Sequence, residues 1–210
     1  MDIGIVTICY NGYGKFAKKW AESMSQLSRN ITIVAMGKDH GITDIPDWVN
    51  VIYSDKVTMG VARNIGVRAT NAEWILYFSI DDLLKENIVY EVKQGVRCAD
   101  ACFLGLEIHK DGKVTDYEIT LPSVSSINRW AHKFIVPGYL IYRKSIWEQI
   151  PYVDTDYPNL PFIFQQLHNG VRFSKTKTVC AEYIRWEKSH SGLRDKKSIE
   201  DVTNYINQYV

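Results

Sequence analysis

No stretch of this chain approaches the ~20 consecutive apolar residues of a membrane-spanning helix. Its first residues, "MDIGIVTICYNG", carry no basic leader and read as a strand and a turn, so no secretion signal is expected. Neither charge is in excess. The 25 basic and 24 acidic residues leave a net charge of +1, which gives no bulk attraction to nucleic acid or to an anionic membrane. Cysteine is sparse, and Cys9, Cys98, Cys102 and Cys180 lack the paired short spacings of a zinc site. Cys98 and Cys102 stand at i, i+4, on one helix face or its end, while Cys9 and Cys180 sit in apolar runs and read as core. A reducing cytoplasm is the expected setting. Internal repeats, low-complexity tracts and linkers are absent as well. The 210 residues, 46% hydrophobic and 23% charged, are therefore expected to form one sizeable α/β domain.

What the chain does have is alternation. Short apolar, β-branched runs, "IGIVTIC" (3–9), "ITIVAM" (31–36), "NVIYS" (50–54) and "EWILYFS" (73–79), are separated by helical patterns. In the first helix Phe16, Trp20, Met24 and Leu27 form one stripe. "MGVARNIGVRAT" (59–70) predicts a second helix with Val61, Ile65 and Ala69 on one side, and "KENIVYEVKQGVR" (85–97) a third. Continuous rather than alternating strands predict a parallel sheet covered on both faces. The second half differs. It has a hairpin signal at Asp111-Gly112, a strand running into a helix over 139–150, a helix stopped at Gly170, a strand over 178–186 and a closing amphipathic helix, "KKSIEDVTNYINQYV".

In such sheets ligands bind beyond the carboxyl ends of the strands. The segments "YNGYG", "MGKDHG" and "SIDD" lie at those ends and are expected to converge on one crevice. The last of them raises the sharpest question, because Asp81 and Asp82 follow directly on an apolar run. Adjacent carboxylates at a strand end must be solvated, paired, or holding a cation. Asp82 as a helix N-cap for "LLKENIV" is the structural alternative.

"VARNIGVRATNAEWILYFSIDD" resembles the pattern of glycosyltransferase family 2, in which an Ala-Arg-Asn-x-Gly helix precedes a strand ending in an aspartate-rich metal motif. "IVTICYNGYG" is similar to that family's opening strand and Tyr-Asn turn, "PGYLIYRKSIWEQIPYVD" to its acceptor-side segment, and "SHSG" to its serine-rich stretch after the last core strand. The resemblance implies a GT-A type, Rossmann-like fold in a single domain, with a mostly parallel central sheet flanked by helices. Residues 1–100 would form its nucleotide-sugar-binding half, and residues 101–210 its acceptor-side half with a C-terminal helix. It implies a glycosyltransferase, inverting and metal-dependent, that moves a sugar from a nucleotide-diphosphate sugar, a UDP-sugar foremost, to an acceptor hydroxyl. A glycan, a lipid-linked glycan, a protein and a modified nucleic acid all remain open as acceptors.

The resemblance also distributes roles. Tyr10 stacks on the base and Asn11 supports the turn. Asp39 is the acid near the second strand's end. Arg63 grips the diphosphate with a bidentate fork. Ser79 stands where the family has an aspartate and meets a ribose hydroxyl or a water. Asp81, with Asp82 beside it, holds Mn²⁺ or Mg²⁺, whose charge offsets that of the leaving diphosphate. His190 or Glu187 completes the metal or diphosphate shell. Asp156, or else Asp154, is the general base. Asn64 and Gly66 serve packing and close approach. Trp130, Tyr139, Trp147 and Trp186 stack on sugars or belong to the core. Two other functions fit the residues less fully: a nucleotidyltransferase, whose first loop would need more glycine and basic residues than "CYNGYGKF" offers, and a non-catalytic nucleotide-sugar binder.

Overall fold

The computed structural model describes residues 1–117, 119–123, 138–185, 200 and 203–205. The first half runs β1 (Ile3–Cys9), a short 3-10 helix (Tyr13–Phe16), α1 (Ala17–Met24), β2 (Ile31–Met36), β3 (Val49–Ser54), α2 (Met59–Arg68) and β4 (Trp74–Tyr77). The second half runs β5 (Leu83–Leu84), α3 (Ile88–Gly95), β6 (Ala101–Lys110), β7 (Lys113–Tyr117), β8 (Tyr139–Arg143), α4 (Lys144–Gln149), α5 (Asn159–His168) and β9 (Phe173–Arg185). One sheet joins the halves in the order β3-β2-β1-β4-β8-β6-β9-β5, with β7 paired to β6. Strands β1, β2, β3, β4, β6 and β9 run one way, and β5, β7 and β8 run against them. Six strands therefore present their carboxyl ends to the same edge.

The continuous apolar runs are explained by cover on both faces. In β1, Ile3 and Ile5 pack with Trp20 and Met24 of α1, while Val6 and Ile8 face the opposite way, toward Val67, Met59 and Ala62 of α2. In β8, Ile141 joins the first layer, and Leu140 and Tyr142 the second with α4 and α5. Every residue of β1 and β2 is buried. Complete burial of such side chains stabilises by about 1.5–3 kcal/mol each.

The structure moves several boundaries. The first helix opens as a 3-10 turn, and its α portion covers only residues 17–24. In α2 the buried side is Met59, Ala62, Arg63, Gly66 and Val67, not the side carrying Val61, Ile65 and Ala69. The reason is close approach: a Cβ on Gly66 would run into Val6. The helix thus lies close on β1 at Gly66, with Met59, Ala62 and Val67 packed around that approach. Strand β9 starts at Phe173, earlier than expected, because it pairs with β6 from Ala101 onward. The Asp111-Gly112 hairpin is present, with φ values of 52° and 73° at the two turn residues, as a type I′ turn requires. The closing helix lies almost wholly outside the described residues.

Candidate functional site

A cavity of about 400 Å³ opens at the carboxyl edge of the sheet. Its walls come from the ends of β1, β4, β6 and β9, from α2, and from the segment leading into α5. Of the residues expected at a site, Tyr10, Arg63, Ser79, Asp81 and Asp156 line it.

Tyr10 is the first residue after β1. Asn11 and Gly12 turn the chain with φ of 47° and 75°, and two backbone bonds tie this turn to the one after β2. Gly12 N–H donates to the Asp39 carbonyl at 2.6 Å, and Gly14 N–H to that of His40 at 2.8 Å. Tyr10 is held with its ring stacked on Tyr13, centroids 5.3 Å apart. Burial, followed by the neighbouring Tyr77, Tyr13, Asp81 and Asp156, pushes its phenol above the ordinary range. Four groups from three segments, residues 13, 77–81 and 156, thus act on this one hydroxyl. The side chains of Asn11 and Asp39 are exposed and do not line the cavity. Asn11 supports the turn as expected, whereas Asp39 contributes its carbonyl rather than its acid.

The paired acids part company. Asp82 N–H bonds back to the Ser79 carbonyl at 3.3 Å, so residues 79–82 form a turn. That turn delivers Asp81 to the cavity and sends Asp82 into the interior, where it is fully buried. Asp82 accepts hydrogen bonds from the Tyr139 hydroxyl and, at 2.6 Å, from Ile184 N–H. The Tyr139 hydroxyl also bonds to Ser79. Burial pushes the Asp82 carboxyl well above the usual range, and the Asp81 charge adds to this against the pull of the two hydrogen bonds. Asp82 is therefore neither the exposed neighbour of a metal ligand nor a helix N-cap. It is an interior acid that joins β4, β8 and β9, and the N-cap of α3 is Asn87.

Asp154 and Asp156 sit at the start of α2. Thr58 caps that helix by accepting from Val61 N–H, and the Thr58 hydroxyl donates to Asp154 Oδ1 at 2.6 Å. Met59 N–H donates to Asp156 Oδ1 at 3.3 Å, and Gly60 N–H to the Thr155 carbonyl at 2.9 Å. A side chain at Gly60 would overlap the Val153 carbonyl, so glycine is what lets this loop lie on the helix. The contact leaves Asp156 on the cavity wall and Asp154 outside it.

Arg63 is 6% exposed. Its guanidinium carbon lies 3.6 Å from the centre of the Tyr77 ring and 5.2 Å from that of Tyr152. One nitrogen donates to Asn159 Oδ1, while Nε is buried with no hydrogen-bond partner. Among the described residues no carboxylate pairs with it. Among the described residues this buried cation is held by rings, an amide and the Tyr152 hydroxyl, which leaves its charge available to an anion. Asn64 serves packing, as expected. Its Oδ1 accepts from Trp147 Nε1 at 2.7 Å and from Tyr152 N–H at 3.1 Å, and its Nδ2 donates to the Tyr152 carbonyl at 2.8 Å.

Tyr77, Tyr152 and Asn159 form the setting of Arg63 and were not predicted in that role. A tyrosine closing an apolar strand was the one available signal. Trp147 is core. Tyr139 is largely buried and bonded to Asp82, although its edge reaches the cavity. His190, Glu187, Trp130 and Trp186 lie outside the described residues. Among the described carboxylates only Asp81 and Asp156 line the cavity. That is a sparse donor set, but it fits Mg²⁺ or Mn²⁺, which are commonly held by one or two carboxylates together with substrate phosphates.

A sheet of this topology, with its cavity at the shared carboxyl edge, has the GT-A type glycosyltransferase fold. The solved structures it matches include those of S. aureus TarS. TarS residues 1–349 in complex with UDP-GlcNAc align with a TM-score of 0.71 at 14% identity, covering 98% of this chain and 65% of that one. The complex with UDP aligns at 0.66 and 14%, covering 98% and 64%. TarS 1–349 without a named ligand aligns at 0.62 and 13%, covering 99% and 71%. At such identities the likeness is one of fold, and this chain spans somewhat less than two thirds of the two liganded structures. No family model matches the chain, and no curated protein matches it in sequence.

Proposed function

We propose that the protein is a family 2-like glycosyltransferase that moves a sugar from a nucleotide-diphosphate sugar, a UDP-sugar foremost, to an acceptor hydroxyl with inversion. The observation that carries this reading is the buried Arg63, paired with no carboxylate among the described residues, lining the same cavity as Asp81. A cation that lacks an anion and a carboxylate that suits a metal are the two features a leaving diphosphate requires. Two of the TarS structures of the same fold are complexes, one with UDP-GlcNAc and one with UDP.

In this reading Arg63 forks onto the diphosphate, and Tyr10, backed by Tyr13, stacks on the base. Ser79 meets the ribose or a water. Asp81 is the residue that would hold Mn²⁺ or Mg²⁺, and a cation bound there would supply positive charge against that of the diphosphate. Asp156 takes the proton of the acceptor hydroxyl with the oxygen that does not bond Met59 N–H. Asp82 acts from beneath, by holding Tyr139 and β9. The acceptor is a glycan, a lipid-linked glycan, a protein or a modified nucleic acid, and the cytoplasm is the proposed setting.

The test is product analysis with a panel of UDP-sugars and Mn²⁺. Release of free UDP that needs Arg63 and Asp81 is the expected result. Release of pyrophosphate from a nucleoside triphosphate would instead mark a nucleotidyltransferase. Tight UDP-sugar binding with neither product would mark a non-catalytic binder.

A further inference from the structure

Beside the cavity, β6 and β9 carry a second group of polar side chains. The two strands run parallel with Glu107 paired to Glu182, and His109 lies two residues beyond Glu107, so the three share one face. The cavity-lining Leu106, Ile108 and Tyr183 occupy the alternate positions and point to the other face. One ligand atom from each of Glu107, His109 and Glu182 lies within 4.8 Å of the others, and all three residues are half-buried. His109 Nε2 stands 2.8 Å from Glu107 Oε1, and Lys85 Nζ holds the second oxygen, Oε2, at 2.7 Å. The Glu182 carboxylate has neither a hydrogen bond nor an ion pair among the described residues.

Like charges directly opposite across a strand pair destabilise it, and Lys85 offsets only one of these two. The ion pairs of Glu107 with Lys85 and His109 do not include Glu182. An imidazole nitrogen with two carboxylate oxygens suits a divalent transition metal, Zn²⁺ in the first place. The geometry points to a divalent-cation site formed by Glu107, His109 and Glu182, which ties β6 to β9 and is separate from the cavity cation assigned to Asp81. Glu107 ligates through Oε1 while Lys85 orients it through Oε2, as outer-shell partners of metal ligands do.

The probe is Zn²⁺ alone, titrated into the metal-stripped, untagged full chain by calorimetry, with melting temperature followed in parallel. Wild-type protein is expected to bind Zn²⁺ and melt higher in its presence. His109→Ala and Glu182→Gln should each weaken binding at least about tenfold, and Glu182→Gln should do so without lowering the metal-free melting temperature. Asp81→Asn should bind Zn²⁺ here as the wild type does, so the result does not depend on the transferase reading. No Zn²⁺ binding, or binding that either of the two ligand substitutions leaves unchanged, overturns the site.

Discussion

At the scale of single residues, two adjacent aspartates have opposite environments and so opposite expected phenotypes. Asp81 faces the cavity, and Asp81→Asn is expected to abolish Mn²⁺-dependent UDP binding while apo stability holds or rises, because it removes the charge that opposes ionisation of the buried Asp82. Asp82 is buried with two hydrogen bonds, and losing one of them should lower stability by about 1–3 kcal/mol in Asp82→Asn, read by urea unfolding. Its raised pKa also has a signature. Above about pH 4 the unfolded carboxyl has released a proton that the folded one retains, so this group makes stability fall with rising pH until the folded carboxyl ionises. Asp82→Asn should flatten that slope, and an unaltered slope would show that Asp82 is not the group responsible. Arg63→Lys keeps the charge but loses the planar fork held between Tyr77 and Tyr152. UDP affinity should drop by about 1.5–3 kcal/mol, roughly ten- to a hundredfold, and an unchanged Kd would remove Arg63 from the diphosphate site.

At the scale of elements, α2 is the part that organises the site. Its N-terminus is capped by the segment that carries Asp156, and its body lies close to β1 through Gly66. Gly60→Ala tests this arrangement by sign. In an ordinary helix interior, alanine for glycine stabilises by about 1 kcal/mol. Here the methyl group meets the Val153 carbonyl, and the net change is expected to be destabilising by about 1–3 kcal/mol, with sugar transfer falling more than UDP affinity as Asp156 moves. A more stable variant with full activity would mean that the 153–156 loop is not held by this contact. The helix itself was legible in "MGVARNIGVRAT", but its buried face was not. Apolar periodicity marks the side with the most hydrophobic residues, whereas this helix turns Gly66 and Ala62 to the sheet, with Met59, Arg63 and Val67 buried beside them.

At the scale of the whole molecule, Tyr10, Arg63, Asp81 and Asp156 meet because six strands end on one edge. Asp156→Asn is expected to lower transfer roughly 10²–10⁴-fold with UDP binding nearly intact. Coupled loss of UDP binding would show that Asp156 acts only as the cap of α2. Much of the architecture was determined by the sequence alone. Apolar runs long enough to be strands but unbroken by polar residues must be covered on both faces, and that requirement yields the sheet, its flanking helices and the placement of the first three turns at its edge. What only the tertiary structure decided is which polar groups face the cavity. Asp82 turns inward because its partners, Tyr139 and Ile184, lie 57 and 102 residues away. Asp156 accepts from the first N–H of α2, and Asp154 from the hydroxyl of its capping Thr58, across almost a hundred residues of chain. A local pattern records how much of an element is buried, but a hydrogen bond to a distant strand has no local pattern, and it is those bonds that direct one carboxylate to the cavity and its neighbour to the core.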